Sequence, residues 1–169
     1  MQPNFDLTTA LLDSWDRQAE IIHRIALLIN PGIAGQKSSE DGMSLFQQLV
    51  HTHMVRCFWL RRYSAEDRER LGPFPEHLLE AAGTQAELDE IRTYLAQSAQ
   101  AVREATARRL AEPEADSPYD HPILFLQHMI WHEGYHFALI HLALRNAGHE
   151  PTEEWEEANV WSQWRTETW

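Results

Sequence analysis

The chain has 169 residues, 43% hydrophobic and 24% charged, with a formal net charge of −12 and a pI near 5.2. Residues 1–169 suffice for one domain with a real core, and so acidic a surface repels phosphate backbones, which argues against a nucleic-acid partner. Cys57, the single cysteine, excludes a disulfide framework or a cysteine-rich zinc site within one chain.

Helical periodicity dominates, and nothing alternates with the period of two that a strand shows. Leu11, Leu12, Trp15, Ala19, Ile22, Ile25, Ala26 and Ile29 recur at three- and four-residue steps and predict a first helix from Leu7 to Ile29. Asn30-Pro31-Gly32 ends it. Ser44-Leu45-Phe46-Gln47 reads as a capping box opening a second helix that fades after Tyr63. A long connection with Gly72, Pro73 and Pro75 follows, with a short helical turn expected around Glu76 to Ala82. Thr84-Gln85-Ala86-Glu87 is a second capping box and starts a third helix that reaches Leu110. After a loop with Pro113 and Pro118, the fourth helix runs from Pro122 to Ala147, and Gly148 serves as its C-terminal cap. The tail holds Trp155, Trp161, Trp164 and Trp169 and room for one short helix after Thr152.

Three of the four helices exceed 20 residues, or about 30 Å. The economical architecture is an all-α four-helix bundle with long crossover loops and a short C-terminal extension. The first residues lack the pattern of a signal peptide, and no apolar stretch approaches the roughly 20 residues of a membrane helix. A cytoplasmic protein without membrane contact is expected. Arg56, Arg61, Arg62, Arg68 and Arg70, and Arg103, Arg108 and Arg109, are interspersed with acids and read as solvated helix faces.

The fourth helix carries the chemistry. At 100° per residue, His121, Phe125, His128, His132, His136, Leu139 and Ala143 share a narrow arc. The remaining faces are also largely apolar, so the helix should be buried and its imidazoles need partners. His132 and His136 are one turn apart, with Cβ atoms about 5–6 Å from one another. That spacing lets two ring nitrogens converge on a divalent ion, or leaves two core histidines bonded to carbonyls or carboxylates. His132-Glu133-Gly134-Tyr135-His136 also fits HExxH, in which the glutamate serves a zinc peptidase as general base. The extended form of that motif fails, because Leu139 stands where its glycine should be.

Two segments make the chain resemble the DinB/YfiT-like superfamily of small bacterial metalloproteins. One is Met43-Ser44 followed by Leu45-Phe46-Gln47-Gln48-Leu49-Val50-His51, similar to the family's aromatic-Ser/Thr opening of helix 2, with a metal histidine seven residues after the hydroxyl. The other is Leu126-Gln127-His128-Met129-Ile130-Trp131-His132-Glu133-Gly134-Tyr135-His136, continuing to Leu144-Arg145-Asn146-Ala147-Gly148, similar to its last-helix motif. Many members follow the last ligand with Arg-Gly-Gln. Here Phe137-Ala138-Leu139 stands instead, and Met43 replaces the usual aromatic, so fold carries over more directly than substrate class.

The resemblance implies a three-histidine metal site of His51, His132 and His136. A helical wheel of Ser44 to Leu60 instead centres His53 on the apolar face, which makes His53 the fallback for His51. Three neutral imidazoles leave zinc (or nickel, manganese or iron) with an open position, the pattern of catalytic sites. The resemblance further implies a metal-dependent transferase, isomerase or hydrolase acting on a small-molecule substrate, with a low-molecular-weight thiol as candidate co-substrate. Glu133 then either hydrogen-bonds a ligand's second nitrogen, acts as general base, or is a surface carboxylate. His128 and Tyr135 line the pocket or simply pack, and Cys57 reads as a small core residue. Two other classes stay open: a non-catalytic metal-binding or stress-response protein whose ion braces the bundle, and an interaction protein whose Trp-rich tail forms a homodimer.

Overall fold

Helix boundaries in the computed structural model, which describes residues 6–63, 66, 69, 71, 73–112 and 117–165, are set by local capping chemistry. Helix α1 (Leu7–Leu28) begins where Asp6 accepts from the Thr8 amide. At its end another element supplies donors: Arg92 Nη2 donates to Ala26 O at 3.1 Å and to the O of the capping residue Ile29 at 2.7 Å. Helix α2 (Leu45–Tyr63) opens with a reciprocal box, the Gln47 amide donating to Ser44 Oγ and the Ser44 amide to Gln47 Oε1. Helix α3 (Gln85–Ala111) opens with the same device between Thr84 and Glu87. Gly83 precedes it at φ +85°, and a Cβ there would lie 2.5 Å from that of Ala34, so the backbone approach requires glycine. Helix α4 (Pro122–Asn146) starts under a His121 imidazole cap, with proline at its first position, and Gly148 at φ +72° turns the chain beyond its end.

A short helix α5 (Glu153–Asn159) follows the Thr152 cap. A 3₁₀ turn spans Glu76–Leu79 within the expected turn region, and a second spans Trp161–Gln163. Among the described residues there is no strand, only an isolated bridge between Lys37 and Ser44. The all-α class is therefore what the structure shows. No helix of the described residues is long and apolar enough to cross a membrane. Arg68, Arg70, Gly72, Pro113 and Trp169 lie outside the described residues.

The core falls into two apolar clusters. One joins Ile22 to Ala26 of α1, the capping Ile29, Leu45 to Val50 of α2, Leu88 to Leu95 of α3 and Ile140 to Leu144 of α4. The other joins Trp15, Leu60, Tyr63, Ala101 to Ala105 and Phe125 to Met129. The order in which each helix visits these clusters gives its direction: α1 and α4 run one way, α2 and α3 the other. Since α2 and α3 are parallel, the chain between them must return the length of the core, which is the crossover. Both α3 and α4 pack on α1 and on α2.

Between the clusters the interior is polar. Gln18, Gln48, Thr52, His53, Arg56, Ser98, Glu133 and His136 are all buried. Reading the arginine-rich stretches as solvated faces is thus corrected at two positions. Arg56 is 1% and Arg109 5% exposed. The Arg56 guanidinium lies over the Trp15 ring, and Arg109 lies over Tyr63 and donates to its carbonyl. Both cations sit on helix faces that the apolar residues around them drive inward, and each finds carbonyl or ring partners there.

A candidate three-histidine metal centre

Antiparallel packing of α2 on α4 brings three imidazoles together. Ring nitrogens of His51, His132 and His136 all lie within 4.8 Å of one another. His132 Nε2 and His136 Nε2 are 3.1 Å apart, and the His51 ring centroid is 5.3 Å and 4.6 Å from those of His132 and His136. With metal–nitrogen bonds of about 2.0–2.1 Å, two nitrogens in a tetrahedral shell stand about 3.3 Å apart, so the donor set fits a small divalent ion. His136 is buried, whereas His51 and His132 are half-buried, and the cluster faces outward through them.

The environment keeps the imidazoles neutral. Burial, followed by the neighbouring His51, His128 and Arg56 charges, lowers the His132 pKa to about 4. Burial and the two partner imidazoles do the same for His136, and burial lowers His51. Neutral rings present lone pairs, the form that a metal requires. His136 Nδ1–H donates to Gln48 Oε1 at 2.5 Å, which leaves Nε2 as the nitrogen aimed into the cluster.

His53 stands apart. Two residues from His51, it points to the opposite side of α2, 3% exposed, with ring centroids 5.6 Å from Phe74 and 5.2 Å from Tyr94. The helical wheel located its burial correctly, but burial at the core's centre is not membership of the cluster. Cys57 Sγ lies 3.5 Å from His53 Nε2, and burial pushes the thiol up to about 11, an inert state at neutral pH.

Glu133 is no surface carboxylate. It is 1% exposed, and Arg56 Nε donates to its Oε1 at 2.6 Å. The same guanidinium donates through Nη1 to Leu95 O at 2.7 Å and to Ser98 Oγ at 3.4 Å. Arg56 Nη2 and Glu133 Oε2 have no hydrogen-bond partner among the described residues. The partner of a histidine's second nitrogen is Gln48, and the Glu133 carboxylate is no part of the cluster. An HExxH glutamate serving as general base needs the opposite arrangement, facing the metal's open side.

His128 lies beside the cluster, its ring 6.4 Å from that of His132, and shares a 2.7 Å hydrogen bond with the Tyr119 hydroxyl. Tyr135 is 55% exposed with its ring 5.3 Å from that of His136, and Trp131, 73% exposed, stacks on it. Sequence reasoning passed over Gln48, Arg56 and Tyr119. The first two carried a signal, being polar residues on the inward side of an amphipathic helix. Tyr119, in a loop, carried none.

The comparisons with known proteins agree with this geometry at family level. No curated protein and no solved structure matches the chain significantly. The model of the DinB family matches residues 1–167, nearly the whole length, and with an all-helical fold and a histidine cluster that could hold a metal ion, the chain belongs to the DinB family.

Proposed function

We propose that His51, His132 and His136 bind a divalent metal ion, zinc in the first instance, and that this centre serves a transferase, isomerase or hydrolase reaction on a small molecule, with a thiol as candidate co-substrate. The observation that carries the reading is the convergence of three ring nitrogens from two helices within 4.8 Å, with two of the three rings reachable from solvent. When bound, the ion supplies Lewis acidity towards a donor group of the substrate. The chain's own residues do the rest. Gln48 fixes the His136 tautomer, and the Arg56–Glu133 pair, whose carboxylate belongs to the residue after His132, ties α2 to α4.

Elemental analysis of protein purified without a nickel column tests the site. Near-stoichiometric zinc, nickel, manganese or iron is expected, lost in His132→Ala and His51→Ala and kept in His53→Ala. Metal that survives His132→Ala rejects the site. A second reading, an ion that only braces the helix pair, differs in one measurable respect: such an ion exchanges no exogenous ligand. The exposure of His51 and His132 favours the open form.

A further inference from the structure

We propose that the substrate of this centre carries a small apolar tail, lodged in a cavity on the flank of His51. The inference rests on the metal-centre reading above and extends it to substrate class. The cavity, about 170 Å³, is lined by Met43, Gln47, Val50, His51, Met54 and Leu79. Residues 47, 50, 51 and 54 form one stripe of α2, Met43 comes from the segment before it, and Leu79 from the 3₁₀ turn. His51 is therefore both a wall of the cavity and a corner of the metal cluster. A molecule whose donor head sits at the cluster can lay its tail across that ring.

The walls select for hydrocarbon. Among the described residues no charged side chain lines the cavity, and the Gln47 amide oxygen already accepts from the Ser44 amide. A charged tail would be desolvated there without a partner. Two of the chain's four methionines face the space, and methionine adapts its shape to apolar guests. At about 30 Å³ per water-sized group, the volume takes a tail of roughly five or six heavy atoms. Leu79 is 46% exposed, an apolar wall that a bound tail would cover. Beside His136, exposed Tyr135 and the Trp131 ring stacked on it add further apolar surface, unusual company for a chain of net charge −12.

The test uses cobalt(II)-loaded protein and two probes that share one metal-binding head, acetohydroxamate and hexanohydroxamate, read by the visible cobalt spectrum. Each fully buried methylene is worth about fourfold in affinity. The four extra methylenes are expected to tighten Kd by about tenfold or more in the unaltered chain. Met54→Trp, which fills the cavity, and Leu79→Glu, which charges its wall, are both expected to shrink that ratio to about threefold or less while the cobalt spectrum persists. Equal affinity for the two probes in the unaltered chain overturns the apolar pocket and leaves the metal centre standing. A ratio unchanged in both variants also overturns it. A chain that takes up no cobalt rejects the metal reading itself, and one whose cobalt ignores both probes has a closed site, which rejects the tail pocket with it.

Discussion

Ile25, Leu49, Ile91 and Leu144 belong to a hydrocarbon cluster of the core, while on the inward faces of α2, α3 and α4 Gln48, Arg56, Ser98, Glu133 and His136 are also buried. The two regions are equally shielded from water and differ in what shielding costs. Hydrocarbon gains from burial in proportion to its area. The polar layer must recover its desolvation through specific partners, and it does so incompletely, since one nitrogen of Arg56 and one oxygen of Glu133 find none among the described residues. A layer that only had to hold helices together would be more stable as leucine. Its bonds from Gln48 to His136 and from Arg56 to Glu133 point instead to a positioning role, in which it keeps α2 against α4 in one register.

Four experiments test whether the polar layer and the apolar end differ in this way. Glu133→Ala leaves the Arg56 cation buried and unpaired and should cost about 3–5 kcal/mol in urea unfolding. The double replacement Arg56→Met with Glu133→Leu should regain most of this while weakening zinc binding. A double variant as unstable as the single one would show that the pair, rather than its desolvation, dominates stability. Ile25→Ala, in the apolar end, should cost about 2–5 kcal/mol, with zinc affinity unchanged because no ligand rests on it.

Gln48→Leu removes the acceptor of His136 Nδ1–H and should weaken zinc binding by about 10- to 100-fold, measured by chelator competition, with little change in helix content. The last test is pH dependence of the metal-free chain. His53 is held near 4 by burial first and the Arg56 charge second, and His132 and His136 near 4 by burial. A histidine whose folded pKa is depressed binds more protons when unfolded, so stability rises with pH across the interval. The stabilising contribution should be present above about pH 6.5 and lost as pH falls towards 4. At about 1.4 kcal/mol per pH unit, His53 sets an upper limit of about 3 kcal/mol. His53→Leu should flatten the urea midpoint between pH 6.5 and 4. An unaltered slope would place the titrating group elsewhere.

Much of this architecture is readable from residue order. Both capping boxes, at Ser44–Gln47 and Thr84–Glu87, open helices where expected, and Pro122 and Gly148 bound α4 because their constraints are local. The His132–His136 juxtaposition is likewise local, since one helical turn fixes it. Periodicity also located the inward face of α2, with His53 at its centre. What periodicity could not say was which polar residues on inward faces would find each other. Arg56 and Glu133 are 77 positions apart, His136 and Gln48 are 88 apart, and no local pattern pairs residues at such separations.

Sequence therefore determined the helices, their ends and the paired imidazoles of α4, all of which depend on contacts within a few residues. Tertiary structure decided that His51 and not His53 joins them, that Glu133 turns inward to Arg56, and that Met54 and Leu79 share a cavity. Those outcomes depend on how α2 is rotated against α4 and where the 3₁₀ turn lies against α2. Packing of the whole core sets that rotation, and no local window contains it.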